Sequence, residues 1–329
     1  MPHPKVLCTQ RLDPAGEQLL APFADLIVPP DGSAATLKNM IGDADVLIVR
    51  TQLPPDLFDT PHRLLGVVRH GTGVDLIPMQ AATTQALPVD NVPGTNIDTV
   101  AEYCIGGALA LARQFILMHT DLFNKGWSEG RRYAGHTTDL VGRTIGIIGA
   151  GAIGIRLAEI CHFGFRMRAP GYRRNSTALP PFVEVAEIDS LLAQSDVVSL
   201  NCPLTAETKH LIDARRIRLM RPNAILVNAA RGAVTDKIAL AAALRERRIA
   251  GAVIDVYEEQ SLRRDHPFLA LDNVLLTPHS AGLTQEATRR TSIGSAEEAL
   301  RMLGGERPLN LVNPKTWAQR RRSGASGAA

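Results

Sequence analysis

Short aliphatic and β-branched runs alternate along this chain with stretches of helical period. The first runs are Val6–Cys8, Leu26–Val28, Val46–Val49, Val67–Val68 and the segment at Val89. That alternation predicts parallel strands joined by helical crossovers. Pro29-Pro30-Asp31-Gly32 and Pro93-Gly94 mark turns within the series. One long helix is predicted from about Asp98 to His119, and behind it a polar, glycine-containing arm from Asp121 to Asp139 has little periodicity. A second strand-helix series opens at Thr144, with strands at Thr144–Ile148, Val197–Leu200, Ile225–Asn228, Ala252–Val256 and Val274–Leu276. These runs are continuously apolar, as expected of a sheet covered on both faces. A last helix is predicted over about Gln285–Leu303.

The pattern describes an α/β chain with two doubly wound parallel-sheet domains. Residues 1–97 and 285–317 form one such unit, and residues 98–284 a second inserted into it. A cleft between the two is the expected ligand site. Residues 318–329 read as a disordered tail.

Composition narrows the function classes. The 329 residues, 45% of them hydrophobic, suffice for two cores. The formal charge is +3, and Arg320, Arg321 and Arg322 account for that excess. The folded body then has no basic surplus, which argues against a nucleic-acid partner. Cys8, Cys104, Cys161 and Cys202 show neither metal-ligand spacing nor a disulfide framework and point to a reducing compartment. The opening MPHPKVLCTQ lacks the apolar core of a secretion signal, and no apolar run has membrane-spanning length. The expected localisation is cytoplasmic, with no membrane partner.

The clearest local signal is Gly149-Ala150-Gly151-Ala152-Ile153-Gly154, set between the Thr144–Ile148 strand and a helical stretch from Ala152 to Phe163. Gly149 suits a tight turn, Gly151 a close approach of backbone to a pyrophosphate, and Gly154 close packing of helix on strand. The helix N-terminus adds free N–H groups and partial positive charge. Where a ribose-reading acid would favour NAD, the chain has Tyr172-Arg173-Arg174-Asn175. Arginines there can grip a 2′-phosphate, so NADP(H) is the favoured cofactor, with NAD(H) the other possibility. Pro170-Gly171 is unusual inside a central strand and leaves the local register open.

Further motifs follow in order: Val68-Arg69-His70-Gly71-Thr72-Gly73-Val74-Asp75, Asn91-Val92-Pro93-Gly94-Thr95-Asn96 leading to Val100-Ala101-Glu102, and Pro203-Leu204-Thr205 with Thr208. Then come Asn228-Ala229-Ala230-Arg231-Gly232, Asp255-Val256-Tyr257 and Thr277-Pro278-His279-Ser280-Ala281-Gly282. With these the chain resembles, from about Lys5 to Pro314, the D-isomer-specific 2-hydroxyacid dehydrogenase family. That family includes phosphoglycerate dehydrogenases, glyoxylate and hydroxypyruvate reductases and formate dehydrogenases.

The resemblance implies hydride transfer between NAD(P)H and C2 of a small 2-oxo or 2-hydroxy acid, with residues 98–284 as a Rossmann-type dinucleotide-binding domain inserted in a flavodoxin-like substrate/catalytic domain of residues 1–97 and 285–317. Arg231 would hold the substrate carboxylate and 2-oxo group, since a planar fork can bind both. Read alone it could equally be structural. Backbone N–H groups of Gly71, Thr72 and Gly73 would take the rest of the carboxylate. His279 would be the acid in reduction and the base in oxidation, a role that the motif, not a lone histidine, supports. Asp255 would contact the nicotinamide carboxamide, its other reading being a strand-end cap. Ala281 and Gly282 would leave room beside the ring, and Cys202, Pro203, Thr208, Ala229 and Ala230 would line the cofactor. Arg50 would meet a second anion on the substrate or else form a structural ion pair, and His70 would line the same cavity or pack. The arm over residues 121–139, with Trp127 and Tyr133, would wrap a second subunit in a homodimer.

One position departs from the family pattern. Most members pair the histidine with a glutamate five residues after the Asp255 position, usually followed by proline; here those places hold Gln260 and Ser261. A carboxylate would favour imidazolium, whereas an amide orients the ring without adding charge. Either the loop slips so that Glu259 serves, or Gln260 pairs with His279; the second is expected, with reduction weakening as pH rises through neutrality. Glutamine there is also similar to formate dehydrogenases, leaving formate oxidation as an alternative. A retired, dinucleotide-binding regulatory protein is another, opposed by the retention of Arg231 and His279.

Overall fold

The computed structural model describes residues 3–174, 178–259 and 262–321. The chain divides after Asn96 and again after Gly282 into two compact units. In the first unit, strands β1 (Lys5–Cys8), β2 (Asp25–Ile27), β3 (Val46–Val49), β4 (Gly66–Arg69) and β5 (Val89–Asn91) are all parallel, in the order β2-β1-β3-β4-β5. Alternate residues serve opposite faces. Leu7, Leu47, Val49, Val67 and Val89 pack under α2 (Ala34–Ile41) and α3 (Met79–Thr84), while Val6, Cys8, Val46, Ile48 and Val68 pack with Leu20 of α1 (Pro14–Leu20). Asp13 and Ser33 cap α1 and α2 by accepting N–H bonds from Ala15 and Thr36.

The second unit begins with α4 (Ile97–Ala112), α5 (Phe115–Lys125) and α6 (Trp127–Arg131). Strands β6 (Ile145–Ile148), β7 (Pro170–Tyr172), β8 (Glu184–Val185), β9 (Val197–Leu200), β10 (Ile225–Asn228), β11 (Gly251–Ile254) and β12 (Val274–Leu276) form one parallel sheet, in the order β12-β11-β10-β9-β6-β7-β8. Helix α7 (Ala152–Phe165) lies with α4 on one face. Helices α8 (Ile188–Gln194), α9 (Ala214–Leu219) and α10 (Lys237–Arg245) cover the other. The chain then returns to the first unit as α11 (Gln285–Leu303), whose Ala296, Ala299 and Met302 complete the α1 face.

Four expectations need correction. The single helix from Asp98 to His119 is two helices, bent by 54° where Gln114 takes φ +51°. The arm of residues 121–139 is largely helical. It folds on itself because Asp121, only 6% exposed, accepts from Lys125 at 2.8 Å, Arg132 at 2.9 Å and the Tyr133 hydroxyl at 2.7 Å. Pro170-Gly171 does belong to an inner strand: Pro170 is its first residue, and the space beside Gly171 is filled by Val183. The chain stays ordered past residue 318, because a 3-10 turn over Pro314–Ala318 carries Trp317 under the Arg320 guanidinium, 3.4 Å from the ring centroid. Residues 322–329 of the expected tail, Asn175 and the Gln260-Ser261 pair lie outside the described residues. No single helix among the described residues is long and apolar enough to cross a membrane.

Candidate active site

Three neighbouring strands of the second unit end together. Asn228 of β10 pairs with Ile254 of β11, and Ile254 with Leu276 of β12. Arg231 follows Asn228 by three residues, Asp255 follows Ile254 directly, and His279 follows Leu276 by three. The sheet therefore delivers arginine, aspartate and histidine at one carboxyl edge, the outer two separated by two strand spacings, about 10 Å. Ligands of open α/β sheets bind beyond such edges.

Each side chain is held by its own turn. Asn228, fully buried, accepts from Ala230 N at 3.1 Å and donates to the Arg231 carbonyl at 3.0 Å, which fixes the turn carrying the guanidinium. Arg231 Nη1 donates to the Ala230 carbonyl at 2.7 Å. Asp255 is also fully buried. Its Oδ1 accepts from Ser280 N at 2.8 Å and its Oδ2 from Ala281 N at 2.9 Å, while its carbonyl accepts from His279 N at 2.8 Å. The His279 backbone sits in the left-handed region at φ +56°, a conformation that costs a non-glycine residue about 1 kcal/mol or more. Asp255 supplies the bonds that hold it there. Both carboxylate oxygens are engaged by the histidine loop, the geometry of a strand-end cap.

At the glycine turn, Gly149 has φ +97°, and a Cβ on it would meet Cys202 N at 2.6 Å. A Cβ on Gly151 meets nothing within 4 Å, whereas one on Gly154 would strike the Gly149 carbonyl at 2.5 Å. Gly149 N and Ala150 N both donate to the Tyr172 carbonyl, tying the turn to β7. Among the described residues the N–H groups of Ala152, Ile153 and Gly154 have no acceptor, as at any helix start. The turn fits a dinucleotide pyrophosphate: open space beside Gly151, free N–H donors and the positive end of α7.

Around this turn, Cys202 is 9% exposed and burial raises its thiol. Thr208 donates its hydroxyl to the Pro203 carbonyl at 2.6 Å and accepts from Thr205 N at 2.7 Å, so it shapes the turn itself. Ala230 and Ala281 are buried; Ala229 and Gly282 are half-buried. Arg173 and Arg174 are exposed beyond Tyr172. Arg174 reaches Glu207 at 3.8 Å, while Arg173 makes no ion pair among the described residues.

In the first unit, the loop after β4 is arranged as an anion cradle. Gly71 takes φ +126°, which a side chain would resist. Every carbonyl from His70 to Gly73 is engaged: His70 O by Arg69 Nη1, Gly71 O by Val92 N at 3.0 Å, Thr72 O by Asn91 Nδ2 at 2.6 Å and Gly73 O by Arg69 Nε at 2.8 Å. The N–H groups of Gly71, Thr72 and Gly73 have no acceptor among the described residues. Arg69 and Asn91 were not singled out in the sequence, although both lie inside its motifs. The signal was their place at adjacent strand ends, since β4 and β5 pair Arg69 with Asn91.

Two expected substrate residues have partners within the first unit. His70 is 8% exposed and its Nε2 lies 2.9 Å from Ser292 Oγ on α11. Arg50 donates to the Arg11 carbonyl, and its own N–H reaches Thr9 Oγ1 at 2.9 Å. Glu259 is exposed and lines a 250 Å³ cavity with Lys237, Tyr257 and His266; burial and then Lys237 lower the His266 imidazole, which Glu259 only partly offsets. Gln260, its rival as partner of His279, is not described.

The family description "D-isomer specific 2-hydroxyacid dehydrogenase, NAD binding domain" matches residues 105–281. A glyoxylate reductase of Thermofilum pendens is 34% identical over 95% of this chain and 95% of its own length. A D-3-phosphoglycerate dehydrogenase of Methanocaldococcus jannaschii is 35% identical over 94% of the chain, which spans 59% of that protein. Among solved structures, an acyclic imino acid reductase in complex with NADPH and D-arginine superposes with a TM-score of 0.85 at 27% identity, covering 94% of this chain and 99% of that one. Sheet orders, glycine turn and the family match agree, and the chain belongs to the D-isomer-specific 2-hydroxyacid dehydrogenases, NAD(P)-dependent oxidoreductases.

Proposed function

We propose that this 2-hydroxyacid dehydrogenase, of the glyoxylate/hydroxypyruvate reductase kind, works as an NADPH-dependent reductase of small 2-oxo acids with His279 as its acid. The carrying observation is the shared carboxyl edge of β10, β11 and β12, which presents Arg231 and His279 around Asp255. When bound, the nicotinamide supplies a hydride to C2. Arg231 holds the carboxylate and polarises the 2-oxo group, because its fork can donate to both. His279 gives a proton to the carbonyl oxygen as the alcohol forms. The N–H cradle of Gly71, Thr72 and Gly73 suits a carboxylate, and the Gly149–Gly154 turn suits the pyrophosphate. Gln260 is the expected partner of His279, orienting the ring without adding charge.

The preference for NADPH rests on Arg173, whose guanidinium makes no ion pair among the described residues. The NADPH bound by the imino acid reductase relative is consistent with it. A cytoplasmic location suits four buried, free cysteines. A homodimer through residues 121–139 is supported by apolar side chains left open on and beside that arm: Phe115 is 53% exposed, Phe123 82% and Trp127 71%.

The test is a panel of glyoxylate, hydroxypyruvate, pyruvate and larger 2-oxo acids with NADPH and NADH, for the chain and for His279→Asn and Arg231→Ala. Turnover with NADPH that both substitutions lower at least a thousandfold is expected. Full activity of His279→Asn would overturn the assignment.

A further inference from the structure

The loop that carries His279 hangs on a half-buried hydrogen-bond chain that starts on a different element. Thr277 lies 2.5 Å from Asp255 Oδ1 through its hydroxyl, and the Tyr103 hydroxyl, on α4, lies 2.5 Å from the same Thr277 Oγ1. Thr277 has one hydroxyl proton. An ionised Asp255 can only accept, so Thr277 gives that proton to Asp255 and Tyr103 must donate to Thr277. The chain then runs Tyr103 O–H to Thr277 O–H to Asp255, and Asp255 binds the N–H groups of Ser280 and Ala281 on the far side of His279. Between Thr277 and Ser280 stands Pro278, which has no N–H to offer. The bonds that set the backbone of His279 therefore converge on Asp255: the His279 N–H reaches its carbonyl, and the N–H groups of Ser280 and Ala281 reach its carboxylate.

Tyr103, Cys104 and Tyr257 face Asp255. Burial raises all three, with the Cys104 thiol pushed up to about 12. They stay neutral through the working range and add no charge beside the carboxylate. Tyr257 braces the same loop by donating to the Thr277 carbonyl at 3.0 Å. Tyr103 differs in that it acts on the side chain that touches Asp255, and its hydroxyl meets no other partner among the described residues.

We propose that Tyr103 is a positioning residue for His279, fixing through Thr277 the proton arrangement around Asp255 and with it the left-handed turn that presents the imidazole. This rests on His279 being the acid of the reaction. A hydrogen bond in such a chain is worth more than an isolated one because each donor polarises the next.

The experiment compares steady-state reduction of a 2-oxo acid by the intact chain and by Tyr103→Phe, Thr277→Val, the double variant and His279→Asn. Tyr103→Phe keeps the ring and removes only the donor. A kcat lowered about tenfold is expected, with cofactor KM within twofold and thermal unfolding within a few degrees. In the double variant the two losses should not add, since Thr277→Val already breaks the chain. An unchanged kcat in Tyr103→Phe, a loss confined to KM, or additive losses would overturn the proposal. Full activity of His279→Asn would instead remove the reading beneath it, whatever Tyr103 does.

Discussion

The Arg69 side chain donates from Nε to the Gly73 carbonyl at 2.8 Å, so the last residue of β4 fixes backbone four positions downstream. The same guanidinium reaches the carbonyls of His70 and Val49. Turning carbonyls inward leaves the N–H groups of the loop facing out, as a carboxylate requires. Lysine cannot serve several carbonyls from one rigid plane. Arg69→Lys should raise the KM for the 2-oxo acid about tenfold and leave the KM for cofactor and the kcat within a few-fold. Asn91→Ala, which frees only the Thr72 carbonyl, should do the same more weakly. Steady-state kinetics with glyoxylate or hydroxypyruvate would read both.

Arg173 and Arg174 follow β7 together, but Glu207 lies beside Arg174, and Thr205 holds that carboxylate below the usual range. A 2′-phosphate would meet partial repulsion there and none at Arg173. Arg173→Asp should therefore lower kcat/KM with NADPH by one to two orders of magnitude and leave NADH nearly unchanged. Arg174→Ala should have the smaller effect. An unchanged cofactor ratio in Arg173→Asp would remove the preference.

Strands were legible in the sequence because burial on both faces leaves no alternative to aliphatic runs: Val46–Val49 and Ile225–Asn228 have the bounds that hydrophobicity alone assigns. What escaped depends on long-range partners. Nothing local in the arm 121–139 announces that Asp121 will collect Lys125, Arg132 and Tyr133 in a fold of its own. A break at Gln114 is equally silent, since glutamine is a good helix former. In the site, the motifs suggested roles for Arg231 and His279 but none for the residues that hold their turns, Asn228 and Thr277 within the motifs and Tyr103 beside one. Asn228, Tyr103 and Thr277 act through bonds whose partners lie 2 to 174 residues away in the chain.

The exposed Phe123 and Trp127, at 82% and 71% exposure, are expensive to leave in water and suit the proposed dimer interface. Sedimentation should give a dimer for the intact chain. Phe123→Asp combined with Trp127→Asp should shift it toward monomer without unfolding the second unit, because neither side chain contributes to its core. A monomer at micromolar concentration in the intact chain would rule the dimer out.

Two buried groups of the first unit titrate in opposing senses. Burial, with Glu298 next in importance, pushes the Asp90 carboxyl up to about 7, and its Oδ2 has no partner among the described residues. Because the folded value lies above the ordinary one, this group contributes stability that is fully present below about pH 4 and is lost as pH rises through 7. His70 runs the other way. Burial lowers it to about 3, so its contribution is present above its ordinary range near 6.5 and is lost as pH falls toward 3. His62, lowered in the same direction, adds to that second trend. Each pH unit of displacement corresponds to about 1.4 kcal/mol at most, so over pH 4 to 6.5 the two slopes nearly cancel. Denaturant unfolding of the intact chain should then vary little across this window. In Asp90→Asn stability should rise with pH, exposing the histidines, and in His70→Asn it should fall, exposing Asp90. Parallel pH profiles in all three proteins would show that neither group is held as its burial requires.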